Sequence, residues 1–93
     1  FAFGVAGGMK IRAIVWDLVE VTCPDDSSHN ATYKKAYVSL TESEELHIEA
    51  PVGLAIYLKA EIIELSPTSM KIFAYWWQEG NRTLIPVDIL ATL

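Results

Sequence analysis

Residues 52–65 read VGLAIYLKAEIIEL, and the fold turns on how they are periodic. Leu54, Leu58, Glu61 and Leu65 fall near helical spacing. Val52, Leu54, Ile56, Leu58, Ala60 and Ile62 instead alternate at strict period two, and this template accounts for more of the stretch. A strand is therefore expected here, and with it an all-β chain.

The flanking sequence agrees. Residues 10–22, KIRAIVWDLVEVT, are rich in β-branched and aromatic residues, with Ile11, Ala13, Val15, Val19 and Val21 expected on one face. After the polar break CPDDSSH, residues 31–41 alternate again, with Tyr33 and Tyr37 on one side and Ala36, Val38 and Leu40 on the other. In ESEELHIEA, Thr41 lies three residues ahead of Glu44, as at a helix start, but Leu46, Ile48 and Ala50 alternate and Pro51 follows too soon for a stable helix. MKIFAYWWQ and RTLIPVDILATL supply two more strands around the turn at EGN.

Six strand-like runs with short polar connections predict a small antiparallel β-sandwich, Ig-like or jelly-roll-like, with a barrel around a ligand as the competing architecture. The 93 residues divide into an opening segment, 1–8, and one domain, 9–93. Several runs carry large apolar side chains on both faces, whereas one face of a free-standing sandwich meets water. Those second faces are expected to meet protein.

Twelve acidic against seven basic residues give a net charge of −5, which argues against nucleic acid and anionic membrane surfaces as partners. No apolar run reaches the length of a membrane-spanning helix, since Lys59, Glu61 and Glu64 interrupt the longest candidate. Cys23 is the lone cysteine, so no intrachain disulfide can form, and it reads as a small buried hydrophobe.

Both asparagines of the chain fall in N-x-T sequons, at Asn30 (NAT) and Asn81 (NRT), each following a turn-like stretch. N-glycosylation at the two sites, and hence an extracellular, cell-surface location, is the expectation. Ordinary turn asparagines are the alternative.

Other chemistry is sparse. Asp25, Asp26, Ser27 and His29 lack the spacing of a calcium loop, and His29 and His47 lack zinc-ligand spacing. No phosphate loop or nucleophile grouping marks an enzyme, so neither catalytic residues nor a cofactor or metal are expected. Tyr75, Trp76 and Trp77 could stack on a sugar, but adjacent residues of a strand point to opposite sides, so only one of the two Trp could serve such a platform. A secreted ligand- or carbohydrate-binding module is the second functional reading.

The opening FAFGVAGG carries the first. Phe1, Phe3 and Val5 alternate with Ala2, Gly4 and Ala6, and Gly7 and Gly8 form a linker free to turn. Large residues at alternate positions suit strand addition to a sheet edge, and Gly4 allows close backbone approach. In this stretch the chain resembles pilins that polymerise by donor-strand complementation, and subunits of some archaeal surface filaments. The resemblance implies a homopolymer in which residues 1–5 of one subunit complete the sheet of the next.

Overall fold

The computed structural model describes residues 14–80 and 82–93, which form an all-β, antiparallel fold. Its strands are β1 (Val15–Thr22), β2 (Ala31–Leu40), β3 (Leu46–Ala50), β4 (Gly53–Leu65), β5 (Ser69–Gln78) and β6 (Thr83–Thr92). A single 3-10 turn, Ser27–His29, lies between β1 and β2. Each strand pairs with the next in sequence, and β6 returns to β1, so the sheet closes into a barrel.

A barrel replaces the expected sandwich, and the reason lies in how the strands bend. Along β4 the pairing passes from Leu58↔Tyr75 to Glu61↔Phe73, then from Ile62↔Ile72 to Glu64↔Lys71; each time β4 advances one residue more than β5. Two bulges in one thirteen-residue strand coil it enough for the sheet to close on itself instead of dividing into two layers. Lys59, at the first bulge, has φ +53°.

The bulges also correct the expected faces of residues 52–65. Val52, Leu54 and Ile56 are exposed, and Tyr57 points inward. The extra residue at Lys59 then turns Ala60 and Ile62 toward the core, so the apolar set predicted for one face is divided between two. A matching break interrupts β1 and β2. Trp16 and Val19 are buried three residues apart, and opposite them Ala36 and Tyr33 point inward three apart. Lys35 adopts φ +56° there, and its Nζ donates to Asp17 Oδ1 at 2.8 Å on the outer side. Val15 therefore faces outward, and Tyr33 shares its face with Ala36 and Val38 while Tyr37 faces away.

The interior is a packed core. Trp16, Val19, Val38, Leu46, Ile48, Met70, Ile72, Val87 and Ile89 are sealed from solvent, and among the described residues no buried side chain is polar or charged. Tyr33 and Tyr57 join hydroxyls at 3.3 Å, and burial pushes the Tyr57 phenol well above its ordinary pKa. Trp16 Nε1 is the only buried side-chain nitrogen or oxygen without a partner among the described residues.

Because the strands alternate in direction, the connections sort to two ends. Residues 23–30 and 51–52, with Glu79, Gly80 and Arg82, lie at one end. Ile14, residues 41–45 and 66–68, and Leu93 lie at the other, where Leu93 N–H donates to Thr68 O at 3.0 Å.

Candidate functional site: the outer wall of the barrel

With the interior filled, the surface features that could engage a partner are on the outside. Side chains opposite one another in the register share a face. Val15 stands beside Tyr37, Tyr37 beside Glu49, and Glu49 beside Leu54. Two residues along β4, Ile56 stands beside His47. Beyond it Leu58 is beside Tyr75, Tyr75 beside Pro86, and Trp77 beside Leu84. The result is an apolar band winding diagonally across the wall. Tyr37, Leu54, Ile56 and Trp77 in it are 40–58% exposed, although all are large and hydrophobic.

The paired tryptophans separate as strand geometry requires. Trp76 packs against the core, with the His29 ring over it at 4.5 Å, and Trp77 is on the outer wall. Phe73 and Tyr75 meet edge to face at 5.3 Å. One tryptophan and one tyrosine thus remain available to a planar partner.

A second feature occupies the wall where the first and last strands meet. A groove of about 380 Å³ is lined by Glu20 and Thr22 of β1, Ile63 of β4, Lys71 of β5, and Asp88 and Leu90 of β6. Glu20 is opposite Leu90, which is opposite Lys71, and Thr22 is opposite Asp88. Lys71 Nζ lies 3.5 Å from Glu64 Oε1, with both side chains largely exposed. The groove presents two carboxylates and the Lys71 ammonium over an apolar floor. Sequence reasoning did not find it, because it forms only when β6 closes onto β1, and no local pattern brings Glu20 near Asp88.

The end of the barrel opposite the start of β1 holds the sequon at Asn30. Asn30 is exposed, and its Oδ1 accepts from Cys23 N–H at 2.7 Å. The amide nitrogen, where a glycan would attach, is not consumed by that bond. Asn81 lies outside the described residues, but Gln78 and Thr83 close the same hairpin at this end, and Gln78 Nε2 lies 3.2 Å from His29 Nε2. The connection that carries Asn30 and the β5–β6 hairpin, far apart in sequence, are therefore neighbours at this end.

Asp26 and His29 serve the turn itself. Asp26 Oδ1 accepts from Ser28 Oγ at 2.6 Å and from Ser28 N–H at 3.1 Å, which holds its carboxyl below the usual carboxylate range. His29 Nε2 lies 3.2 Å from Asp26 Oδ2. Asp25, Ser27 and Ser28 are exposed, and among the described residues no group of three or more His, Cys, Asp or Glu is placed to hold a metal ion. Cys23 is buried, its thiol donating to His29 O at 3.4 Å, and burial followed by the Asp26 charge pushes its pKa up. No described helix is long and apolar enough to cross a membrane.

Phe1, Ala2, Phe3, Gly4 and Val5, with the linker Gly7 and Gly8, lie outside the described residues. No protein family, curated protein or solved structure matches this chain.

Proposed function

We propose that this chain is a structural subunit of an extracellular, cell-surface filament, in which copies join head to tail through residues 1–5. Gly7 and Gly8 act as the hinge, and the outer wall of the next barrel receives the segment. The observation that carries this reading is the apolar band of Val15, Tyr37, Leu54, Ile56 and Trp77 on the outside of a barrel whose core is already packed. Large exposed apolar side chains gathered along one band, with Glu49 and His47 among them, support an interaction site. A core without convergent polar groups gives little support to a ligand chamber.

The closed hydrogen-bond ring refines how the segment acts. Donor-strand insertion fills a missing position in a sheet, but here β6 reaches β1 and the ring is complete with the chain's own strands. The opening segment therefore works from outside, by side-chain packing and charge on the wall. The ends of the barrel suit this division: β1 starts at one end with Val15, and the connection bearing Asn30 is at the other. Glycans there would keep the filament soluble without covering the contact.

Sedimentation velocity of the full chain beside a form lacking residues 1–8 tests the reading. Concentration-dependent growth of the full chain alone supports it. Identical monomers in both overturn it and favour a binding module that uses Tyr75 and Trp77. Intact mass of the cell-derived protein decides occupancy at Asn30 and Asn81.

A further inference from the structure

We propose that, whether or not copies assemble, His29 is a proton-operated tie between the connection of residues 23–30 and the β5–β6 hairpin, holding Gln78 when its ring is neutral and Asp26 when the ring is protonated. One nitrogen, His29 Nε2, lies 3.2 Å from Gln78 Nε2 and 3.2 Å from Asp26 Oδ2. The two neighbours make opposite demands. An amide nitrogen only donates, so the Gln78 contact is a hydrogen bond when His29 Nε2 is bare. A carboxylate only accepts, so the Asp26 contact is one when Nε2 carries hydrogen. Both bonds cannot be made at once.

In the neutral ring with its proton on Nδ1, Nε2 accepts from Gln78 and joins two segments that are 49 residues apart in sequence. Protonation puts an N–H on Nε2, which then donates to Asp26 Oδ2 in a charge-assisted bond. Two donors now face each other at Gln78, and its amide must turn over or withdraw. The connection is thereby released from the hairpin and bonded within itself.

The surroundings hold the ring in place for either partner. It lies over Trp76 at 4.5 Å between centroids, and an indole face accepts an imidazolium as well as an imidazole. Ser28 donates from its N–H and its Oγ to Asp26 Oδ1, which leaves Oδ2 for the ring. Cys23 Sγ donates to His29 O, and Cys23 N–H donates to Asn30 Oδ1, so the change of partner is confined to side chains. The His29 side chain is 26% exposed, which gives protons access. Asp26 is the charged group against the ring, and its depressed pKa keeps it ionised through the histidine range. From β5, Trp76 and Gln78 meet the ring and neither titrates; Asp25 of the connection and Glu79 and Arg82 of the hairpin are exposed.

NMR of the full chain with nitrogen-labelled histidine and glutamine, followed across about pH 5 to 8, tests the tie. At the upper end His29 should be bare at Nε2 and protonated at Nδ1, and as pH falls the Gln78 side-chain amide signals should move with the His29 titration. Asp26→Asn keeps an acceptor for Ser28 and puts a donor where Oδ2 was, so it should lower the affinity of His29 for a proton roughly twofold to fivefold. Gln78→Leu removes the competing donor and should raise that affinity by a similar factor. His47 is the internal reference and should titrate alike in all three proteins, and unchanged thermal melts show that the barrel is intact. If the neutral ring carries its proton on Nε2, or if the two variants leave the His29 midpoint in place or move it the same way, His29 is a fixed part of the turn and the tie does not exist.

Discussion

At the residue scale, Asn30 shows how a sequence signal can carry two meanings. Its side chain satisfies the N–H of buried Cys23, so an asparagine is structurally useful there whether or not a glycan is attached. Replacing it with alanine strands that donor, and Asn30→Ala should cost about 1–3 kcal/mol in unglycosylated protein, measured by urea unfolding. Asn30→Asp keeps the acceptor and should cost less. Asp26 makes a related prediction in acid. Its depressed pKa arises first from the Ser28 hydroxyl and then from the Ser28 N–H. The stabilisation of the turn is thus present above the unfolded carboxylate value and lost as pH falls through the lower folded one. Ser28→Ala should move the Asp26 titration midpoint, followed by NMR, up toward the ordinary value; an unchanged midpoint would contradict the assignment. The sequence identified these residues as a polar turn but gave no means of pairing Asn30 with Cys23, seven positions away.

At the scale of the element, β4 separates what a pattern reveals from what it conceals. Alternation across residues 52–65 revealed the strand, because period two survives locally on either side of a bulge. It put on one face a set that the fold divides between two, because a bulge is a change of parity whose cause is pairing with β5, a partner absent from any local window. Residues 15–19 and 33–36 misled for the same reason, since coupled breaks in β1 and β2 leave each strand looking regular. β3, with no register shift, kept the alternating Leu46 and Ile48 together on one face, which is the inner one. The bulge at Lys59 makes its own forecast. Deleting Lys59 would restore plain alternation with Tyr57 and Ala60 both still inward, but it would remove the coiling that the bulge gives β4 and should lower the melting temperature. Lys59→Gly keeps the bulge and removes the strain of a side chain at φ +53°, so it should leave stability equal or raised by up to about 1 kcal/mol. Thermal melts of the two variants distinguish a bulge that the fold requires from one that it tolerates.

At the scale of the whole molecule, the sequence announced an all-β chain with more apolar surface than one sheet face could bury, and the barrel shows where the excess goes. Packing took the inner set, and Tyr37, Leu54, Ile56 and Trp77 remained on the wall. Closure itself was not legible, because it depends on the contact of β6 with β1, the first and last strands. That same contact creates the groove of Glu20 and Asp88, which was hidden for the same reason as the fold's closure. The central claim is that copies join through the opening segment and the outer wall, and negative-stain electron microscopy tests it most directly. The full chain and the form lacking residues 1–8, at equal concentration, should give open fibres in the first case and single small particles in the second. Identical compact particles from both would contradict the account.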